Sequence, residues 1–196
     1  MRKQKIQLVV LLAAFLLFAL GFYAAKSISA REEEKERAKE AGEYTALSFD
    51  ADDLVKLEIE REEGNLELDF HEGKWSFVKD INLEMEEKDE EKKTYEVDTS
   101  AADEIRDTLA NLTSQNEIAA GEDESEYGLD KPAMTITVTL SDGAEHSVEV
   151  GSLNAMLQAY YIRVDHSDTL YTMSETDHDL LCKTDTDLAQ EVSEES

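Results

Sequence analysis

The sequence predicts an α+β domain, mostly antiparallel β-sheet in hairpins and meanders with one or two covering helices, behind an N-terminal transmembrane helix. Beyond residue 46, short runs alternate apolar and polar residues, which is the pattern of strands with one buried face. One stretch near residue 100 instead repeats apolar residues at helical spacing. An uncharged apolar run near the N-terminus is long enough to cross a bilayer.

The N-terminal run, residues 6–25, predicts a single-pass membrane anchor. It contains no charged residue, and at about 1.5 Å per residue a helix of this length spans the hydrocarbon layer of about 30 Å. Residues 1–5 carry three basic side chains, which predicts a cytoplasmic tip and places the remainder on the extracytoplasmic side of the cell membrane. A cleaved signal peptide is the alternative, although its apolar region is usually only about 7–15 residues long.

Acidic residues dominate the remainder of the chain. The sequence has 47 acidic and 19 basic residues, for a net charge of −28, so nucleic acid and anionic lipid head groups are not expected ligands. Residues 26–46 are predicted to form a charged helical stalk and residues 47–182 the folded domain. Residues 79–96 are predicted to be an acidic insertion, and residues 183–196 a disordered acidic tail.

The strands of the predicted domain follow from the alternating runs. Turn residues such as Gly-Asn, Asp-Gly and Ser-Asp separate neighbouring runs, which favours antiparallel hairpins. The runs lie at residues 55–59, 66–70, 75–77, 134–140, 148–150, 161–164 and 170–173.

Two helices are predicted. One begins at Ser100, with Ser100 and Asp103 as a capping pair, and its apolar face continues to Leu112. A short second helix is capped by Ser174. Residues 151–159 have no clear period and are predicted to be a loop.

The predicted domain is organised around the stretch that begins with the motif YGLDKP. Gly128 follows a short helical turn, where a left-handed conformation is expected, and Pro132 stands at the entrance of the next strand. The motif is therefore predicted to be structural, with its charged residues at the surface. Its members are Tyr127, Gly128, Leu129, Asp130, Lys131 and Pro132.

The order of these pieces resembles the DUF4340 family, a group of membrane-anchored bacterial domains of unknown function. The features that carry the resemblance, over about residues 47–182, are Gly73-Lys74-Trp75, the YGLDKP motif, Asp142-Gly143 and the pair Tyr160-Tyr161. Members look like envelope proteins, and some accompany transport systems of the exporter type. The resemblance implies an accessory or scaffold role beside another envelope or transporter protein.

The sequence shows no catalytic or metal-binding pattern. Its four histidines are scattered, and Cys182 is its single cysteine, so neither a metal site nor a cofactor is expected, and the chain is predicted not to be an enzyme.

Two functions remain open. One is an interaction module that uses sheet edges and residues 151–159. The other is a domain for a small or peptidic wall ligand, with Tyr160, Tyr161 and Tyr171 as contacts, although ordinary strand packing also explains these tyrosines. A large apolar pocket near the tyrosines would favour the second function, and a flat exposed edge or patch the first.

Overall fold

The computed structural model of the chain describes residues 43–62, 64–79, 81, 94–121 and 123–192. The predicted cytoplasmic tip, the anchor and most of the stalk lie outside the described residues, as does most of the acidic insertion. Within the described ranges, no helix has both the length and the apolar character that a membrane span requires. The compact unit begins at Tyr44.

An eight-stranded antiparallel sheet dominates this unit, with strand order β4-β3-β2-β8-β9-β10-β11-β7. Two further pairs, β1 with β6 and β5 with β12, are also antiparallel. The prediction of an α+β domain made mostly of antiparallel sheet is thereby confirmed. The strands are β1 Tyr44–Ser48, β2 Leu54–Arg61, β3 Leu66–His71, β4 Lys74–Phe77, β5 Thr94–Val97, β6 Asn111–Ser114, β7 Glu117–Ala119, β8 Met134–Leu140, β9 Glu145–Asn154, β10 Ala159–Val164, β11 Thr169–Ser174 and β12 Ala189–Val192.

The described residues contain two α-helices, α1 at Thr99–Ala110 and α2 at Glu175–Leu181. Ser174 caps α2 as predicted, since its hydroxyl accepts from the N–H of Asp177 at 3.0 Å. The predicted cap of α1 is wrong: Asp98 provides it. An aspartate satisfies the free N–H groups of a first turn as well as a serine does.

The core lies against one face of the large sheet. Alternate residues of its central strands point to this face, and α1 contributes Ile105 and Leu109 to the same cluster. Trp75 is also buried there, as expected from its place in the alternation, and its indole N–H donates to Asp103 of α1 at 2.9 Å. The fully buried strand residues include Leu57, Ile59, Leu66, Leu68, Ile136, Val138, Val148, Val150 and Ile162.

Three predicted boundaries are corrected. Strand β1 begins at Tyr44, within the stretch assigned to the stalk, and pairs with β6. Strand β6 starts directly after Ala110, so Leu112, which was assigned to the helix, lies in a strand. Strand β9 extends to Asn154, into the predicted loop at residues 151–159.

The predicted disordered tail is corrected as well, for its described part. Residues Ala189–Val192 form β12 and pair with β5, whose first three residues belong to the predicted insertion. Leu188 is fully buried, and its carbonyl accepts from the N–H of Asp98 at 2.8 Å. The tail therefore closes the N-terminal end of α1.

A turn and a cation hold this segment in place. The hydroxyl and the N–H of Thr184 donate to the carboxylate of Asp187, and these two bonds, the hydroxyl's first, lower the pKa of that carboxyl. The guanidinium of Arg61 donates to the carbonyl of Leu181 at 2.6 Å and to that of Lys183. The carbonyl of Leu181 belongs to the last turn of α2, where carbonyls have no partner within the helix, so the cation also stabilises the helix terminus.

The buried position of Leu188 generates a stability prediction. Leu188→Ala should lower the free energy of unfolding by about 2–5 kcal/mol, because it removes a fully buried side chain and leaves a cavity. Gln190→Ala, on an exposed position of β12, is the matched control and should change it by about 0.5 kcal/mol or less. Urea melts measure both variants. Equal, small effects of the two substitutions would mean that the tail is not part of the cooperative fold.

Candidate functional site

The YGLDKP motif lies across the end of β9. A 3₁₀ turn at Glu124–Glu126 precedes it, as predicted, and Gly128 has a φ of +69°. The N–H of Ser152 donates to the carbonyl of Tyr127 at 2.8 Å. A Cβ on Gly128 would lie 2.8 Å from the nitrogen of Ser152, and a Cβ on Gly151 would lie 2.1 Å from the oxygen of Tyr127. Two glycines therefore allow the two backbones to approach.

An ion-pair network fixes the same turn to the sheet. Arg163 on β10 donates to Glu149 on β9 at 2.6 Å and to Glu124 in the 3₁₀ turn at 2.7 Å. The bond to Glu149 is the largest cause of the raised pKa of Arg163. The ring of Tyr127 meets that of Tyr161 edge-on, with centroids 5.0 Å apart. These contacts attach the motif to the sheet face opposite the core.

The two charged residues of the motif lie at the surface. Asp130 is exposed, and Lys131 pairs with Glu62 at 3.2 Å, with 84% and 86% of the two side chains accessible. Such an exposed pair contributes about 0–1 kcal/mol. Leu129 is buried, and its side chain would meet a Cβ on Gly151 at 3.2 Å. The arrangement fits a motif that holds the chain in position.

The three tyrosines predicted as a contact surface do not share one face. Tyr160 and Tyr171 are packed against the core cluster, whereas Tyr161 points to the opposite face, where it meets Tyr127. Burial is the main cause of the raised pKa of both Tyr160 and Tyr171. The sheet thus separates side chains that are close in sequence, as the alternation of a strand requires.

Tyr160 instead forms part of a cluster with α2. The imidazole of His178 stacks on its ring with centroids 3.7 Å apart. The sulfur of Cys182, one turn further along α2, lies 3.7 Å and 3.8 Å from the two ring nitrogens of His178. The two distances are nearly equal, so neither ring nitrogen is directed at the sulfur.

His178 and Cys182 line a wide cleft of about 790 Å³. Arg61, at another part of its wall, is already engaged by the carbonyls at the end of α2. The part of the chain that the structure describes contains no group of three or more side chains able to hold a metal ion.

The end of β9 and its connection to β10 carry three exposed apolar residues. We call residues 153–158 the tip. Met156 is 94% exposed, Leu153 46% and Leu157 43%. Of the five large apolar residues that are exposed in the described ranges, these three lie in the tip, so exposed apolar side chains are concentrated in this segment.

The tip also lacks charge. No charged residue occurs from position 150 to position 162, in a chain in which 34% of the residues are charged. This run is a signal that sequence reasoning could have used, because absence of charge at a surface is characteristic of the centre of protein interfaces. Residues 151–159 are the loop that the sequence predicts as a contact surface, but that prediction does not use the absence of charge.

Asn154 gives the tip a defined conformation. Its side-chain oxygen accepts from the N–H of Met156 at 2.9 Å and from that of Leu157 at 3.1 Å. Its amide nitrogen donates to the hydroxyl of Tyr161 at 2.5 Å. The turn ends at Gln158, which is left-handed with a φ of +51°. The apolar side chains are therefore presented on a hydrogen-bonded turn.

A pocket of about 300 Å³ adjoins the tip, between the β6–β7 turn and the start of α2. We call it the polar pocket after the residue types that line it, although its accessible wall is more apolar than polar. Seven of its ten lining residues carry a hydroxyl or an amide, and Asp177 is the single charged one among them. The lining residues are Thr113, Ser114, Gln115, Asn116, Leu157, Gln158, Ala159, Thr172, Ser174 and Asp177.

The family model of DUF4340, a domain of unknown function, matches residues 90–191, just over half of the chain. The match contains the YGLDKP motif, both α-helices and the tip, and it includes the tail residues that close the fold. It does not contain Gly73-Lys74-Trp75, which sequence inspection associated with the same family. Comparison with curated proteins and comparison with solved structures each return no significant match.

The backbone approach at Gly128 and Gly151 predicts a graded glycine series. Gly128→Ala combines a left-handed φ with a clash against backbone, and should destabilise by about 3 kcal/mol or more. Gly151→Ala adds the clash alone and should also be severe. Gly143→Ala is the control, since its φ is +86° but nothing lies within 4 Å, and should cost about 1–2 kcal/mol. Denaturant melts of the three variants measure how much free energy of unfolding each one loses. Similar losses in all three would contradict the close approach of the two backbones.

Proposed function

This chain belongs to the DUF4340 family, and we propose that it acts as a single-pass membrane-anchored interaction module on the extracytoplasmic side of the cell membrane. Its contact surface is the tip, and its partner is another protein of the envelope, such as a component of a transport system. The role is one of binding and not of catalysis. The observation that carries this proposal is the exposed, uncharged and apolar tip.

The energetics of the tip support binding. Burying a Met or Leu side chain contributes about 1.5–3 kcal/mol, so three partly or fully exposed side chains can supply a substantial part of a specific but reversible contact. The turn is already held by Asn154, which reduces the conformational entropy lost on binding. The acidic remainder of the surface disfavours contacts with other acidic proteins.

The pocket beside the tip also lies near the first residues of the folded unit. Tyr44, the first residue of this unit, pairs with Ser114 across β1 and β6. Ser114 in turn lines the pocket together with Leu157 and Gln158 of the tip.

A second candidate function is the binding of a small or peptidic wall ligand, and the polar pocket favours it. This function would not use the three tyrosines together, because Tyr160 and Tyr171 face the core side of the sheet and Tyr161 the other. The ligand would contact amides and hydroxyls in place of aromatic rings.

The proposed topology has a direct test. The basic residues that precede the apolar run should hold the N-terminus inside, so protease added to intact protoplasts should digest the domain. Lysed protoplasts provide the control for cleavage from the other side. Protection in intact protoplasts with digestion only after lysis would reject the extracytoplasmic placement.

The contact surface has a separate test. A photo-crosslinking residue in place of Met156 should give a discrete adduct with an envelope protein in living cells, because this side chain is almost fully exposed in an uncharged segment. The matched control is the same residue in place of Asp142, in the exposed β8–β9 turn at the other end of β9, roughly 30 Å away.

Adding Leu157→Glu should remove the adduct from position 156 while the melting temperature changes little, because Leu157 is exposed. Adducts of the same partner from both positions, or persistence of the adduct after Leu157→Glu, would refute the tip as the contact surface.

A further inference from the structure

We propose that the polar pocket beside the tip is a binding site for the main chain of an uncharged peptide segment of the partner. This inference rests on the proposed interaction function and adds the chemistry of what is recognised. The tip would contact apolar side chains of that segment, and the pocket would bind its amide groups.

The inner wall of the pocket is preorganised. The hydroxyl of Ser114 accepts from the N–H of Thr172 at 2.8 Å and from the N–H of Asn116 at 3.1 Å, and it lies 3.1 Å from the hydroxyl of Thr172. The side-chain nitrogen of Asn116 donates to the Thr172 hydroxyl at 3.1 Å. This network fixes the amide plane of Asn116 and leaves its side-chain oxygen as an acceptor for a ligand.

The outer wall carries two further amides, Gln115 and Gln158, from two different turns. Both residues are exposed, and neither side chain has a hydrogen bond to any residue that the structure describes. Gln158 is held in a left-handed conformation that a glycine would adopt at lower cost. Its side chain lines the pocket although the backbone does not favour a residue with a Cβ there.

The chemistry of the lining selects the ligand. A side-chain amide offers one acceptor and donors side by side, which complements the C=O and N–H of a secondary amide. The pocket provides no cation, and its single charge, Asp177, is negative, so an anionic ligand is disfavoured. One oxygen of the Asp177 carboxylate accepts from the hydroxyl of Ser174 at 2.8 Å.

Secondary amides occur in peptide main chains and in N-acetylated sugars. The adjoining tip favours the peptide, because Leu157 is at once a lining residue of the pocket and one of the exposed apolar residues of the tip. A segment with apolar side chains would satisfy both surfaces together, whereas a sugar would leave the tip exposed.

The test uses the full-length chain in neutral detergent and follows the side-chain amide signals of asparagine and glutamine by NMR. The probes are a blocked peptide, acetyl-Ala-Leu-Ala-methylamide, and N-acetylglucosamine. The peptide should cause saturable shifts of the Gln115, Asn116 and Gln158 amide signals and should bind at least tenfold more tightly than the sugar.

Two variants and a control test whether the peptide binds in this pocket. Gln158→Gly removes the amide and suits the left-handed backbone, so it should weaken peptide binding at least tenfold while thermal stability is kept or raised. Gln115→Ala should weaken binding similarly, and Gln190→Ala, on exposed β12, should not. Absence of peptide binding, equal or tighter binding of the sugar, or insensitivity to both variants would overturn the proposal.

These experiments distinguish a failure of the pocket inference from a failure of the proposed interaction function. If the Gln variants leave the crosslink from position 156 unchanged and the peptide does not bind, the tip still acts and the pocket inference fails. If the peptide binds in the pocket but no crosslink forms from position 156, the interaction function fails instead.

Discussion

The close approach of two backbones, Tyr127–Gly128 over Gly151–Ser152, is the constraint on which the proposed contact surface depends. The register of β9 and β10 shifts between Tyr160 and Ile162, so the stretch around Gly151 and Ser152 on β9 faces Tyr161 alone. Such a bulge takes a residue out of the ladder. The N–H of Ser152 is directed to the carbonyl of Tyr127 in place of a partner on β10. The bulge and the covering turn therefore require each other.

This crossing determines where β9 ends and how the tip leaves the sheet. Beyond the bulge, Leu153 pairs with Tyr160 and Asn154 with Ala159, which closes the hairpin around four residues. Asn154 can then accept from two N–H groups of the turn and donate to Tyr161, whose ring also meets Tyr127. The motif thus supports the tip through a chain of direct contacts.

The sequence alone predicted the parts of the fold that depend on local pattern. The runs around Ile59, Leu68 and Ile136 alternate because each strand buries one face, and the structure places all three in the core. The parts it missed depend on partners far away in the chain. Strand β5 has four residues and pairs with β12 more than ninety positions later, and neither segment has enough apolar residues to be recognised separately. Strand β6 was missed because its Leu112 also continues the apolar face of α1.

The proposed site was harder to predict than the fold, because it depends on absence of charge and on adjacency in space. The YGLDKP motif attracts attention in the sequence, yet its charged residues point to solvent and its glycine serves a backbone contact. The tyrosines are also conspicuous in the sequence, but they lie on opposite faces of the sheet. In a chain of net charge −28, the uncharged run at residues 150–162 begins and ends at buried residues, but the apolar side chains of its exposed middle have a functional explanation more readily than a structural one. A stable hairpin needs only turn residues at this point, and Asn154 with a left-handed Gln158 would hold it equally well with polar side chains at positions 156 and 157. Apolar side chains there add nothing to the core and increase the exposed apolar area, so their contribution is expected in a complex and not in the isolated fold.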